Sequence, residues 1–160
     1  MTRQLLNLTT ATRDNALSES EREAFLAEKR VGRLGTNRGD GWWHVTPIWY
    51  VWEGGRFYLS LGNSRRHLAN VREDPHVTMC VDEDPRIDDL TKAPRSVVCF
   101  GLGKLLADEP SVVEYTEKME ERYLGGVLPE LHEALWFEGR TVIEITPVRW
   151  LAWDQGKAAS

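Results

Sequence analysis

The chain has 160 residues, 41% of them hydrophobic and 28% charged, which is typical of a single globular domain with a buried core. The net charge of −5 argues against a general nucleic-acid-binding protein, which needs an excess of lysine and arginine on one face. No apolar run is long enough to cross a bilayer. From the charge and the lack of such a run, we expect neither a nucleic acid nor a membrane as a partner. Cys80 and Cys99 lie in apolar runs typical of reduced core thiols, which favours a cytoplasmic protein.

The first part of the chain divides into a tail and a capped helix. Residues 1–16 are interpreted as a flexible N-terminal tail, and residues 17–155 as a single domain. The segment Ser18-Glu-Ser-Glu21 has the spacing of a capping box and predicts a helix that continues to about Arg30.

Apolar runs bounded by turn residues predict six strands. The strands cover residues 31–36, 42–52, 56–61, 76–83, 95–106 and 141–153. The second strand has large side chains on both faces, so we expect it to be covered on both sides, in part by another subunit. Glu53-Gly-Gly55 predicts a hairpin turn, and Gly101-Leu-Gly103 predicts a bend or bulge within a barrel strand.

Three further helices are predicted from cap and stop signals. They cover about 64–73, 108–124 and a short segment from Pro129, and Asp108-Glu-Pro110 starts the second while Gly125-Gly126 ends it. Asn63 or Ser64 is the candidate cap of the first, and Asp74-Pro75 ends it. Few connections have the form of a parallel crossover unit. The predicted fold is therefore mainly β, of the α+β class: an antiparallel barrel with helices packed outside it.

Two arginines, Arg65 and Arg66, occupy the predicted first turn of the helix at about 64–73. Cations are unfavourable there, because the N-terminal end of a helix carries partial positive charge and unpaired N–H groups. The pair is physically reasonable if an anion such as a phosphate lies between the guanidinium groups and those N–H groups. The default alternative is two solvated surface charges.

Several different short sequence patterns follow one another along the chain. They are Leu34-x-Thr36, Asp40-Gly41-x-x-His44-Val-x-Pro47, Tyr58-x-Ser60, Arg65-Arg66-x-x-x-Asn70-Val71-x-x-Asp74-Pro75, Arg122-Tyr123-Leu-Gly125, and Val142-Ile-x-Ile-x-Pro147 followed by Trp153-Asp154. The ordered set resembles the pyridoxamine 5′-phosphate oxidase-like split β-barrel superfamily, and within it the flavin/deazaflavin oxidoreductases. The resemblance implies a six-stranded antiparallel split β-barrel and a homodimer with cofactor sites at the interface.

The resemblance also implies a cofactor and its location. Coenzyme F420, a deazaflavin, is favoured and FMN is the close alternative, while some branches of the superfamily use haem or biliverdin. In relatives, the strand matching 45–49 lies along the flavin ring, and the segment matching 60–67 holds the phosphate. The chain departs from the pattern at His67, where many relatives have lysine. Residues 149–154 do not match the substrate signature of the vitamin-B6 oxidase, so we do not expect pyridoxamine phosphate oxidation.

The candidate cofactor-binding residues combine the anion argument with the resemblance. They are Thr46, Pro47, Ile48, Trp49, Ser60, Arg65, Arg66, His67 and Asn70. Each has a structural alternative, such as strand packing for the hydroxyl residues or bracing of a loop by Asn70. No catalytic side chain is assigned, although Tyr50 or His44 could supply a proton, and no metal-ligand spacing is present.

The predicted function is an oxidoreductase that transfers hydride to or from a small unsaturated organic substrate. The cofactor performs the difficult step, which agrees with the lack of a catalytic signature. The alternatives are an FMN-dependent oxidoreductase of the same fold, a non-enzymatic protein that binds a flavin, haem or another tetrapyrrole, and a dimeric scaffold whose pocket has decayed.

Overall fold

The computed structural model describes residues 14–83, 94–136 and 139–159. Its strands are Gly32–Asn37 (β1), Trp43–Ile48 (β2), Val51–Glu53 (β3), Arg56–Gly62 (β4), His76–Asp82 (β5), Arg95–Leu106 (β6) and Arg140–Asp154 (β7). The seven strands form one antiparallel sheet in the order β2-β1-β5-β6-β7-β4-β3. The mainly β, antiparallel split barrel predicted from the sequence is confirmed, with seven strands in place of six.

The extra strand arises because the predicted strand 42–52 is wrong as a single element and divides into β2 and β3. The division lies at Tyr50, whose side chain is fully buried. The Tyr123 hydroxyl accepts a hydrogen bond from the Tyr50 N–H at 3.1 Å and donates one to the Arg30 carbonyl at 2.5 Å. The Tyr50 backbone therefore pairs with a tyrosine side chain at this point, which interrupts the strand.

The chain also forms four α-helices. They are Glu19–Ala27 (α1), Arg66–Glu73 (α2), Glu109–Leu124 (α3) and Pro129–Trp136 (α4), followed by the 3-10 helix Gln155–Ala159. The capping box at Ser18 is confirmed, and the Asp108 side chain caps α3. Gly125 ends α3 with a φ of 80°, a left-handed conformation that glycine adopts without steric cost. Within the part of the chain that the structure describes, no helix meets the length and apolarity needed to span a membrane.

The C-terminal end of α1 is closed by a side chain from α3. The Arg122 guanidinium donates hydrogen bonds to the backbone carbonyls of Leu26 at 3.1 Å, Ala27 at 2.9 Å and Glu28. These are carbonyls that a helix end leaves without intrahelical partners. The Arg122-Tyr123 pattern in the sequence thus joins α3 to α1 and to the turn at Tyr50.

The main core lies inside the sheet and includes Val77, Met79 and Val81 from alternate positions of β5. Cys99 is buried there and Cys80 is half-buried, and both are free thiols, as predicted. Burial raises the pKa of the Cys99 thiol to about 12, so this thiol is protonated at neutral pH.

The predicted bulge is confirmed between Phe100 and Gly101. A Cβ at Gly101 would lie 2.7 Å from Ile145 Cγ2 and 2.8 Å from the Thr146 carbonyl oxygen, so the close strand approach requires glycine.

The N-terminal boundary is described from residue 14 onward. Ala16 forms a β-bridge with Trp153, and the Leu17 N–H donates to the Ala152 carbonyl at 3.0 Å. Residues 1–13 lie outside the described residues, so the tail over 1–16 and the domain over 17–155 stay predictions.

Candidate functional site

A cavity of about 840 Å³ opens between β2, the end of β4, the start of α2 and the inner face of α3. Its volume is within the range of roughly 300–1,000 Å³ that small-molecule and cofactor sites occupy. The residues proposed from the sequence that line it are Thr46, Pro47, Ile48, Trp49, Ser60, Arg65, Arg66 and His67. The remaining candidate, Asn70, is fully buried behind this wall on α2.

The start of α2 differs from its prediction, because neither Asn63 nor Ser64 caps the helix. Arg65 is the N-cap residue, and within the part of the chain that the structure describes no side chain caps the first turn. The Asn63 side chain instead accepts a hydrogen bond from the Thr141 hydroxyl at 2.7 Å. The Leu68 N–H donates to the Arg65 carbonyl at 3.1 Å, whereas no side chain caps the N–H groups of Arg66 and His67 among the described residues, as in helix ends that bind anions.

Two cations stand at this uncapped helix end. The side chains of Arg65 and Arg66 are exposed and line the cavity. Within the described ranges neither makes an ion pair with a carboxylate, and the Arg66 Nε–H donates to Asn70 Oδ1 at 3.1 Å. The positive end of the helix and two uncompensated guanidinium groups together favour an anion at this corner of the cavity.

His67 follows the arginines and is buried, with only 3% of its surface exposed. Its Nδ1 is 2.9 Å from the Thr36 hydroxyl oxygen and its Nε2 is 2.8 Å from the Thr46 hydroxyl oxygen. The His44 ring centroid lies 4.3 Å away. Burial, and to a lesser extent His44, lowers the pKa of His67 to about 4, so the ring is neutral at pH 7.

The lowered pKa of His67 predicts a specific pH dependence of stability. In the unfolded chain the imidazole takes up a proton near its ordinary pKa of 6.5, whereas in the folded protein it stays neutral down to about pH 4. The unfolded state binds more protons between these values, so the free energy of unfolding decreases as the pH falls from 7 to 4. The contribution of this one residue is about 3 kcal/mol, at about 1.4 kcal/mol per pKa unit.

The measurement is urea unfolding at pH 7 and pH 4 for the wild type and for His67→Gln, which has no titrating group at this position. We expect the wild type to lose about 3 kcal/mol more than the variant over this interval. Parallel pH dependences of the two proteins would contradict a buried neutral His67.

The opposite wall of the cavity contains polar side chains on β4, α3 and β7. Ser60 Oγ is 2.7 Å from Thr116 Oγ1, and it accepts a hydrogen bond from Arg140 Nε at 2.6 Å. Arg140 Nη2 also donates to the Ser60 carbonyl at 2.7 Å. Ser60 thus lines the cavity and also binds Arg140, which is a third cation beside the site.

Among the described residues, Glu120 is the one carboxylate that lines the cavity. Its side chain is 3% exposed, and its Oε2 lies 3.0 Å from Nδ1 of His132 on α4. Thr116, Glu120 and Arg140 were not among the residues proposed from the sequence. A signal existed for Glu120, since its spacing of four residues from Thr116 places it on the inward face of α3.

Trp49 closes the cavity next to β2. Its ring stacks on Tyr123 with centroids 4.8 Å apart and planes within 3°, and 38% of its surface is exposed. Trp42 and Trp43 do not line the cavity and are 74% and 56% exposed. Only one of these three tryptophans is in a position to contact a ligand in the cavity.

The outward face of β2 is apolar and open in the single chain. Trp43, Val45 and Pro47 alternate with the half-buried His44 and Thr46 along the strand. Val45 is 60% exposed, and β2 is an edge strand of the sheet. The strand therefore presents Trp43 and Val45 on an apolar outer face, while Pro47 on the same face also reaches the cavity.

A comparison of the sequence with known protein families agrees with the ordered motifs, the split barrel and the cavity. The sequence profile described as pyridoxamine 5′-phosphate oxidase matches residues 18–154. The chain belongs to this family. A sequence comparison with curated proteins gives no match.

Solved structures show the same fold. A conserved hypothetical protein from Mycobacterium tuberculosis is 25% identical, with a TM-score of 0.80, 95% of this chain covered and 94% of that one. A protein described as F420 reductase is 28% identical, with a TM-score of 0.61, 80% of this chain covered and 94% of that one. A FAD-binding protein from Mesorhizobium loti has a TM-score of 0.64 at 21% identity, over 86% of this chain and 93% of that one.

Proposed function

We propose that this family member is a cytoplasmic, homodimeric oxidoreductase that binds coenzyme F420 and transfers hydride to or from a small unsaturated organic substrate. The observation that carries the proposal is the pair Arg65 and Arg66, uncompensated by carboxylates among the described residues, at an uncapped helix end. The pair opens on a cavity whose side wall includes residues 46–49, at the end of β2. FMN is the close alternative.

The residues present fit a phosphate-bearing flavin-type cofactor. Arg65, Arg66 and the first-turn N–H groups of α2 would hold its phosphate, and residues 46–49 would lie along its ring. When bound, such a cofactor supplies the hydride chemistry. The chain's own contribution is to bind and orient the cofactor and to exclude water from the reacting centre.

The preference for coenzyme F420 rests on the motif pattern and on the relative described as F420 reductase, which is 28% identical to this chain. Pyridoxamine phosphate oxidation is not proposed, since the C-terminal segment has a structural role here. The Arg149 guanidinium lies 4.5 Å from the centre of the Phe100 ring, and Trp150 packs against the core. Neither residue lines the cavity.

The structure also bears on the source of a proton. The Tyr50 hydroxyl donates to the Leu26 carbonyl at 3.2 Å, and burial raises its pKa to about 12. Tyr50 does not line the cavity, whereas His44 does. We therefore propose His44, or water beside it, as the proton donor and acceptor in the site.

We further propose that the apolar outer face of β2 is covered by a second copy of the chain. The face continues from Trp43 through Val45 to Pro47, and Pro47 also lines the cavity. Light scattering should then report twice the chain mass of 18.3 kDa. A monomer at micromolar concentration would contradict this part of the proposal.

The experiment that tests the cofactor is a side-by-side titration of purified protein with coenzyme F420 and FMN, followed by fluorescence and absorbance. We expect quenching of deazaflavin fluorescence with saturable binding. Tighter binding of FMN would assign the flavin alternative. A Soret band in the purified protein would indicate a haem carrier, with His44 as the axial ligand, because both nitrogens of His67 are already hydrogen-bonded. Binding of none of these compounds would indicate a decayed pocket.

Trp49→Ala should weaken binding of the cofactor about tenfold, because it removes the aromatic surface next to the proposed ring position. Trp42→Ala is the matched control, since Trp42 is 74% exposed and lies outside the cavity. The two variants are compared in the same titration. Equal affinities for both would exclude Trp49 from the site.

A further inference from the structure

A continuous row of hydrogen-bonded side chains runs behind the cavity wall, from the proposed phosphate corner to the proposed ring position. It is formed by Arg66, Asn70, Thr36, His67 and Thr46, and we call it the polar relay. Three of its members are on α2, and Thr36 and Thr46 lie on the same face of the paired strands β1 and β2. The two ends of the relay line the cavity, whereas Thr36 and Asn70 are fully buried.

The orientation of the Asn70 amide is fixed by Arg66. An arginine Nε–H can only donate, so the Asn70 atom 3.1 Å from it is the oxygen. The Asn70 nitrogen is then the atom that faces the Thr36 hydroxyl at 2.9 Å, and it donates to that oxygen. Thr36 therefore accepts a hydrogen bond from Asn70.

The Thr36 hydroxyl hydrogen needs an acceptor of its own. Thr36 is 0% exposed, so an unpaired hydroxyl hydrogen would lose its hydrogen bond to water without replacement. His67 Nδ1, 2.9 Å from Thr36 Oγ1, is its one side-chain acceptor among the described residues. If Nδ1 carried a hydrogen instead, the Thr36 oxygen would face two donors and its own hydrogen would have no partner.

An unprotonated Nδ1 in a neutral imidazole places the hydrogen on Nε2. That N–H points at the Thr46 oxygen 2.8 Å away, so Thr46 accepts from His67 and its own hydroxyl hydrogen is left for another acceptor. We propose that the polar relay holds His67 as the Nε2–H tautomer and thereby directs the Thr46 hydroxyl into the cavity as a hydrogen-bond donor.

This inference rests on the proposed function and deepens it. The ligand group that contacts the Thr46 hydroxyl must be a hydrogen-bond acceptor, such as a ring carbonyl oxygen or an unprotonated ring nitrogen. His67 is a positioning residue in this arrangement, because it acts on the ligand through Thr46. The same arginine that would contact the phosphate, Arg66, sets the direction of the hydrogen bonds that reach the ring.

The tautomer can be measured without any cofactor. We expect the ¹⁵N spectrum of the full chain labelled in histidine to show His67 with a protonated Nε2 and an unprotonated Nδ1 throughout pH 6–8. The signal is assigned by its absence in His67→Gln. A protonated Nδ1, or an imidazolium at pH 7, would overturn the proposal whether or not the protein binds a cofactor.

The donor role of Thr46 is tested by two variants of similar shape. Thr46→Val lacks the hydroxyl and should bind coenzyme F420 and FMN roughly five- to tenfold more weakly than wild type. Thr46→Ser keeps the hydroxyl and should restore most of that affinity. An unchanged dissociation constant for Thr46→Val, in a wild type that binds the cofactor, would show that no acceptor lies above Thr46 and would overturn the proposal.

The two measurements separate this inference from the proposed function. A wild-type protein that binds neither cofactor contradicts the proposed function, and the His67 tautomer in the same sample still decides whether the relay has the proposed direction. Tight cofactor binding together with an Nδ1–H tautomer supports the function and refutes the relay.

Discussion

Replacing both Arg65 and Arg66 with alanine should lower the affinity for the phosphate-bearing cofactor roughly a hundredfold or more. Each charge-assisted contact to a phosphate is worth roughly 1.5–3 kcal/mol. Both guanidinium groups are exposed, so we expect values at the lower end of that range for each. The measurement is the dissociation constant for coenzyme F420 and for FMN at a fixed ionic strength.

Arg72→Ala is the matched control for this variant. Arg72 is also an exposed arginine on α2 and changes the net charge by the same amount per residue, but it lies in the last turn and not at the cavity. We expect its affinity to stay within a factor of two of wild type. An effect as large as that of the double variant would indicate a general charge effect, and no effect in either variant would contradict the anion site.

Arg122→Ala should lower the free energy of unfolding by about 3 kcal/mol. The substitution removes the guanidinium that donates to the backbone carbonyls of Leu26, Ala27 and Glu28, and it leaves the end of α1 without these partners. It also removes the cation 5.1 Å from the centre of the Tyr50 ring. Urea unfolding at pH 7 measures the change.

Two control variants separate the fork geometry of Arg122 from its charge. Arg122→Lys keeps the charge but cannot reach three carbonyls at once, so we expect it to recover less than half of the loss. Glu121→Ala changes an exposed neighbour on the same helix and should have an effect below about 0.5 kcal/mol. If Arg122→Ala costs no more than Glu121→Ala, Arg122 does not support α1.

The elements that could be predicted from the sequence are those set by local chemistry. The capping box at Ser18, the Asp108 cap and the glycine end of α3 are short-range signals, and the structure has each of them. The bounds of β6 over 95–106 agree with the prediction because turn and helix-start residues flank that run. The bulge at Gly101 follows from the position of glycine within a long strand.

The elements that were predicted wrongly depend on distant partners. The break between β2 and β3 is caused by the Tyr123 hydroxyl, more than seventy residues away along the chain. The cap of α2 is Arg65 because Asn63 is already engaged by Thr141 on β7. Periodicity and cap propensity contain no information about such contacts.

The candidate site likewise combines residues that the sequence indicated with residues that only the fold brings together. The resemblance and the arginine pair both point to the segments 46–49 and 60–67, and the proposed residues in these two segments line one cavity. Thr116, Glu120 and Arg140 complete the opposite wall, and they come from elements that only the fold brings together. The roles of the proposed residues in binding a cofactor stay predictions.

The most direct test of the account is a crystal structure of the protein with coenzyme F420 bound, followed by one with FMN. The account predicts that the cofactor's phosphate lies at the first turn of α2, within hydrogen-bond distance of both Arg65 and Arg66, with the ring along β2. A bound cofactor elsewhere, with both guanidinium groups directed into bulk water, would contradict the proposed function and leave only the family and the fold.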